Sequence, residues 1–216
     1  MDPSRLPVFV VEDQAPFLKG LLKLLGTFPE IEVVGTAMSG EAARTALPAS
    51  GARVALVDVE LPGIDGLSLV AELKAAHVAC ELLILTSFVD EQKVFEAMRR
   101  GAAGYLVKGG PTERLRAALT AVDEGGTVIE PRLARTFWAY FKGVEAPPRD
   151  EPVLTADELQ LLNLVAKGLS NAEAAGVLGL GRRNVRTRLQ KIYDKLGARS
   201  HVDAVVVGLK RGLIQV

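Results

Sequence analysis

Four apolar runs in the first half of the chain each end in a residue that can do chemistry. Val8-Phe9-Val10-Val11 ends in Glu12-Asp13, and Val54-Ala55-Leu56-Val57 ends in Asp58. Leu82-Leu83-Ile84-Leu85 ends in Thr86-Ser87, and Ala103-Gly104-Tyr105-Leu106-Val107 ends in Lys108. Short apolar runs bounded by polar, Pro or Gly residues read as buried strands. If these strands are parallel neighbours, they deliver three carboxylates, a hydroxyl and an ammonium to one sheet edge. Carboxylates gathered this way attract a hard cation such as Mg²⁺, which takes one or two protein carboxylates and leaves positions for water and phosphate oxygens. A metal held by Asp13 and Asp58 would neutralise charge as a phosphoryl group arrives at Asp58. Lys108 would balance the phosphoryl oxygens, and Thr86 would offer one of them its hydroxyl. That is equipment for in-line phosphoryl transfer to a carboxylate, with charge stabilisation as the main catalytic effect. Singly, each residue has an ordinary reading as a solvated loop residue or a packing residue; the convergence of roles carries the argument.

The elements that must position these groups follow from periodicity. Strands are expected near 7–12, 31–36, 53–58, 81–86 and 103–107, and helices near 15–26, 39–48, 66–76, 90–100 and 112–124. Leu18, Leu21, Leu22 and Leu25 fall on one helical face after Pro16, and Leu115, Ala118, Leu119 and Val122 repeat the pattern. Five strand–helix alternations predict a parallel sheet covered on both faces, with right-handed crossovers.

The remainder changes character. Residues 126–152 read as a linker: Pro131 to Phe141 as one helix holding Phe137, Trp138, Tyr140 and Phe141, then a stretch with Pro147, Pro148 and Pro152. Residues 153–216 read as all helix, with Thr155 and Glu158 forming a capping box and Ser170-Asn171 capping a second short helix. After the turn Gly179-Leu180-Gly181, a helix at 182–195 places Val185, Leu189, Ile192 and Leu196 on one face. Its other faces carry Arg182, Arg183, Asn184, Arg186, Thr187, Arg188 and Lys191. In a DNA major groove such a helix offers Arg and Asn to base edges and Arg, Lys and Thr to phosphates. A final helix near 200–211 has Val202, Val205, Val206 and Leu209 on one face, a surface for dimerisation or for packing this small domain.

Charge supports the division. The formal net charge is +0, yet residues 153–216 carry ten Lys/Arg against five Asp/Glu, so a basic tail follows an acidic body. A basic domain suggests a polyanionic partner. Cys80 is the single cysteine, which excludes an intrachain disulfide and fits a reducing, cytoplasmic setting. No apolar run reaches membrane-spanning length, and the first residues do not read as a signal peptide.

Two resemblances extend this reading. Glu12-Asp13, Asp58 with Leu61-Pro62-Gly63-x-x-Gly66, Thr86-Ser87, and Tyr105 three residues before Lys108 resemble a response-regulator receiver domain over roughly 6–125. The resemblance implies a five-stranded, doubly wound, flavodoxin-like fold and a sensor histidine kinase that phosphorylates Asp58. It implies Mg²⁺ at Asp13, Asp58 and the backbone carbonyl of Glu60, with Glu12 acting through a water, and a Tyr105 that turns inward as Thr86 moves. It also leads us to expect that Glu60 and Phe88 line the approach of water to the acyl phosphate. One departure is Gly109, where relatives often have Pro after the lysine. The pattern Leu154-Thr155-x-x-Glu158, then Gly168-Leu169-Ser170-Asn171-x-Glu173-x-Ala175, then Ile192-x-x-Lys195-Leu196-Gly197 resembles the LuxR-type helix-turn-helix of NarL/FixJ regulators. Arg182, Asn184 and Arg188 depart from the residues common there, which bears on the operator sequence.

The expectation is a transcriptional response regulator with a receiver at 1–125, a linker at 126–152 and a small all-α DNA-binding domain at 153–216. Phosphorylation would promote homodimerisation and binding to double-stranded promoter DNA, with RNA polymerase as a further partner. It would not be an enzyme beyond slow self-dephosphorylation. One rival is a regulator that keeps the receiver fold but works without phosphate. Another is an aspartyl-phosphate phosphatase, which commonly needs a second Asp where Glu60 stands.

Overall fold

The computed structural model describes residues 5–87, 91–129 and 154–214. Phe88 and the aromatic linker helix expected at 131–141 lie outside those residues. The first unit alternates β1 (Leu6–Val11), α1 (Ala15–Leu25), β2 (Ile31–Ala37), α2 (Gly40–Ala46), β3 (Val54–Val57), α3 (Gly66–Ala75), β4 (Glu81–Thr86), α4 (Glu91–Arg100), β5 (Gly104–Val107), α5 (Thr112–Asp123) and β6 (Val128–Ile129). The sheet is parallel throughout, in the order β2-β1-β3-β4-β5-β6.

It has six strands rather than the five expected. β6 pairs Val128 and Ile129 with Gly104 and Tyr105 of β5. A two-residue strand just after a glycine pair is too short to announce itself by periodicity.

Alternation along each strand separates two cores, because successive side chains point to opposite faces. Val8, Val10, Val54, Leu56, Leu83 and Leu85 meet Leu18, Leu21 and Leu25 of α1 and Leu115, Leu119 and Val122 of α5. Phe9, Val11, Ala55, Val57, Leu82 and Ile84 meet Leu69, Val70 and Leu73 of α3 and Val94, Ala97 and Met98 of α4. Both faces are therefore apolar, and the central strands β1, β3 and β4 are buried runs, while the edge strands β2 and β6 are only partly covered.

The second unit comprises α6 (Ala156–Ala166), α7 (Asn171–Leu178), α8 (Arg182–Leu196) and α9 (His201–Lys210). The Thr155–Glu158 capping box forms, and Ser170 with Glu173 makes a second one. Gly179 and Gly197 end α7 and α8 in the left-handed conformation that glycine adopts without a Cβ penalty. Val185, Leu189, Ile192 and Leu196 turn inward to a core shared with Leu161, Leu162 and Ala174. The charged faces of α8 are left for other partners.

Candidate functional site: an acidic pocket and a basic helix

The strand order reverses between β1 and β3, so the crevice at their carboxyl ends is where an open α/β sheet binds ligands. Glu12, Asp13 and Asp58 stand there. The amide of Glu12 donates to the Ala37 carbonyl at 3.0 Å, and that of Asp58 donates to the Val11 carbonyl at 3.0 Å. On the other flank, the Lys108 amide donates to the Thr86 carbonyl at 2.7 Å. The pairing thus continues past the strand ends and fixes the backbone of Glu12, Asp58 and Lys108.

The segment after Asp58 folds back over it. Gly66 lies so close to the Asp58 carbonyl that any Cβ there would collide with it. Gly63 takes φ +74°, and the amide of the next residue, Ile64, donates to Glu41 Oε1 at 2.9 Å. Asp65 caps α3 by accepting the Ser68 amide at 2.8 Å. The Pro-Gly-x-x-Gly spacing thus forms a tight return, closed by the Gly66 amide donating to the Val59 carbonyl at 3.0 Å.

Within the pocket, Glu12 is 1% exposed, Asp58 3% and Thr86 2%. The Lys108 ammonium lies 2.7 Å from Glu12 Oε2 and 2.8 Å from Asp58 Oδ2, its side chain 6% exposed. Phe17 of α1 places its ring 4.4 Å from the same nitrogen. Burial disfavours the lysine charge, but its hydrogen bonds to Asp58 and Glu12 outweigh this and hold its pKa above the ordinary value. Burial raises the pKa of Glu12, more than Lys108 lowers it.

Carboxylate oxygens of Glu12, Asp13 and Asp58 lie within 4.8 Å of one another, close enough to share a cation. Asp13 Oδ1 is buried and has no hydrogen-bond partner among the described residues. A buried carboxylate oxygen without a donor is costly, and a hard cation satisfies it. The donor set therefore fits Mg²⁺.

The structure gives each expected residue its surroundings. Glu12 is bonded directly to Lys108 and to the Gln14 amide, so its reach toward a metal is shared with the ammonium. Tyr105 was expected to turn inward on activation; it is already fully buried, at 0% exposure, among the α3–α4 core residues. Gly109, which stands where Pro is common after the lysine, takes φ +79°. Glu60 is exposed, with Lys93 of α4 3.7 Å away. Phe17 escaped the sequence reading because a residue next to a helix's apolar face carries no mark of a lysine ninety positions later.

The basic helix α8 faces the first unit. Arg186 lies 3.5 Å from Glu81 at the start of β4, and Glu81 is 3.1 Å from Lys74. Burial alone would raise the Glu81 pKa, but Lys74 and Arg186 hold it below the usual carboxylate range. Arg182, Arg183 and Thr187 line a cavity of about 810 Å³ between the two units. Among the other basic-helix residues, Arg188 bonds Asn184 at 3.2 Å and lies 3.8 Å from Asp157, while Asn184 and Lys191 are exposed.

The apolar face of α9 does not stand free either. Val206 is buried among receiver core residues with Val202 packed beside it, whereas Val205 and Leu209 pack into the helical core. Of the four residues expected to serve dimerisation or packing of the small domain, Val205 and Leu209 pack within that domain and Val202 and Val206 against the receiver, because a 3.6-residue period marks a buried face without saying what buries it. The junction is completed at α7, whose Asn171 amide donates to the Glu124 carbonyl at 2.7 Å, joining a helix N-terminus to the end of α5. Gly125, at φ +85°, leaves the room that the Asn171 side chain fills.

Comparison with known proteins agrees with both halves. Residues 8–120 match the family model for the response regulator receiver domain, and residues 152–207 match that for bacterial regulatory proteins of the luxR family. The chain is 33% identical over 201 residues to the DNA-binding transcriptional activator DevR/DosR of Mycobacterium tuberculosis, covering 92% of each chain. It is 29% identical to the probable transcriptional regulatory protein NarL of the same species, covering 98% of this chain and 97% of that one. A crystal structure of the response regulator ChrA of a heme-sensing two component system matches 98% of this chain and 100% of its own, at 30% identity and a TM-score of 0.54. With an acidic pocket at the switch point of its sheet and a luxR-type helix-turn-helix behind it, the chain belongs to the NarL-type response regulators and is a DNA-binding transcriptional regulator.

Proposed function

We infer that a sensor histidine kinase phosphorylates Asp58 and that this converts the docked chain into a promoter-binding dimer. The observation that carries the reading is the Lys108 ammonium held between Glu12 and Asp58, beside a buried Asp13 oxygen that has no hydrogen-bond partner among the described residues. Mg²⁺ bound by Asp13, Asp58 and the Glu60 carbonyl, with Glu12 assisting, would supply charge neutralisation for the incoming phosphoryl group. An Asp58 oxygen forms the new bond to phosphorus as the bond from phosphorus to the donor's imidazole nitrogen breaks. Lys108 then exchanges its contact with Asp58 for the phosphoryl oxygens, and Thr86 donates its hydroxyl to another. Burial of the pocket strengthens each of these interactions.

The docked arrangement is the resting form in this reading. Arg186 is engaged by Glu81, and α9 is covered by α4, the helix that follows Thr86. Release frees Arg186 from Glu81 and opens the side lined by Arg182, Arg183 and Thr187, which then meet DNA together with Asn184, Arg188 and Lys191. It frees Val202 and Val206 for a second copy of the chain, and paired half-sites then favour the dimer. The protein acts in the cytoplasm and not as an enzyme, its only turnover being slow loss of its own phosphoryl group.

The inward Tyr105 favours one rival, a regulator that needs no phosphate, because the aromatic switch already sits inside. Phosphotransfer separates the two. Wild type incubated with Mg²⁺ and acetyl phosphate should acquire one phosphoryl group by intact mass, and Asp58→Asn none. Equal labelling of both, or of neither, removes Asp58 as the acceptor.

A further inference from the structure

We propose that Phe17 is a positioning residue for phosphoryl transfer, its ring face holding the Lys108 ammonium in line with Asp58. The inference rests on the phosphoacceptor reading of Asp58 and adds a group that acts through Lys108.

An ammonium has three donors and no acceptor. Among the described residues, two of the directions around Lys108 Nζ are taken by Glu12 Oε2 at 2.7 Å and Asp58 Oδ2 at 2.8 Å. The Phe17 ring lies 4.4 Å from the nitrogen, within the range at which the negative face of an aromatic ring attracts a cation. The attraction is strongest where water is excluded, and the Lys108 side chain is 6% exposed. Phe17 itself is held, since it packs partly buried against the core formed with α1 and α5.

The backbone alone does not aim the ammonium. Lys108 is followed by Gly109 and Gly110, and a Cβ at Gly109 would meet nothing within 4 Å. The Lys108 amide is fixed by its bond to the Thr86 carbonyl, but the flexible four-carbon stem is not, so the aim of the ammonium is set by what it touches. Glu12 and Asp58 supply that aim while the pocket is empty. Once a phosphoryl group arrives, Lys108 must give up its contact with Asp58, and the ring face, which carries no titratable group, remains in place throughout. A ring of this kind keeps the ammonium within reach of the phosphoryl oxygens and keeps water from that side.

The test uses the full chain with Mg²⁺ and acetyl phosphate and reads the rate of Asp58 phosphorylation. Phe17→Leu keeps an apolar side chain but loses the ring face; Phe17→Tyr and Phe17→Trp keep it. Leu should slow phosphorylation roughly three- to tenfold, while Tyr and Trp stay within about twofold of wild type. In a Lys108→Met background the difference between Phe and Leu should vanish, because the cation is gone. Equal rates for Leu and Tyr, or a Leu penalty that persists without the lysine, would overturn the inference and leave Phe17 as packing. Should Phe17→Leu melt early, the Trp variant decides: a loss as large as that of Leu contradicts the proposal. A wild type that takes up no phosphoryl group removes the Asp58 reading itself, an outcome distinct from a wild type that reacts and a Leu variant that reacts equally well.

Discussion

The carboxylate of Glu81 joins Lys74 of the receiver, at 3.1 Å, to Arg186 of the DNA-binding helix, at 3.5 Å. An acid at the start of a receiver strand thus occupies a guanidinium of the basic helix, one that the proposed function assigns to DNA. Glu81→Gln keeps the shape and removes the charge, leaving Arg186 half-buried against a neutral amide. The docked form loses an ion pair that DNA binding does not need, so the balance moves toward the open form. Affinity for promoter DNA without any phosphoryl donor should rise roughly three- to tenfold, as read by fluorescence anisotropy. Unchanged affinity would mean that the pair does not hold the helix.

Val206 offers a test of the apolar side of the same junction. It belongs to α9 yet is buried among receiver core residues. Burial of a valine contributes about 1.5–3 kcal/mol, and an acid in its place must find water. Val206→Asp should separate the two units while each keeps its own core. Small-angle scattering should report a larger radius of gyration with helical content retained; collapse of both would show that the junction is part of a single folding unit.

Acid should loosen this region through His201. Burial lowers the pKa of this imidazole below its ordinary 6.5, against opposing contributions from a backbone hydrogen bond involving Val165 and from Glu81. Because the folded pKa is depressed, the unfolded chain binds the extra proton first. The stabilisation from a neutral His201 is present above about pH 6.5 and is lost as pH falls through the lower folded value. The fall in Tm between pH 7.5 and pH 5.5 should therefore be larger in wild type than in His201→Gln, measured by scanning calorimetry in matched buffers.

Gly66 tests the framework of the acidic pocket. A Cβ there would run into the Asp58 carbonyl, so Gly66→Ala must push the returning segment away. Overpacking of this kind costs about 1–3 kcal/mol, readable by urea unfolding. Because the displaced backbone includes Glu60, Mg²⁺ affinity should fall by more than stability alone explains.

The parts of this molecule legible in the sequence are those written in local spacing. The acids, Thr86 and Lys108 stand at the ends of apolar runs, and the ladder of a parallel sheet brings them together. The capping box of Thr155 and Glu158 was readable because both partners lie within one turn. The apolar face of α8 was readable for the same reason. What was not legible depends on contacts between distant segments. Phe17 and Lys108 meet only through the fold. Val202 and Val206 looked like a dimer seam, but the periodicity that marks them buried is blind to the identity of the partner. β6 was hidden by its length, and Tyr105 by the fact that burial at rest and burial on activation leave the same residue in the sequence.

The most direct test is the DNA affinity and oligomeric state of wild type and Asp58→Ala, each with and without Mg²⁺ and beryllofluoride. The account predicts that wild type alone shifts to a dimer and binds DNA more tightly when both are added, by roughly tenfold or more. If the two proteins respond alike, Asp58 is not the switch, and the docked helix is released by something other than a phosphoryl group.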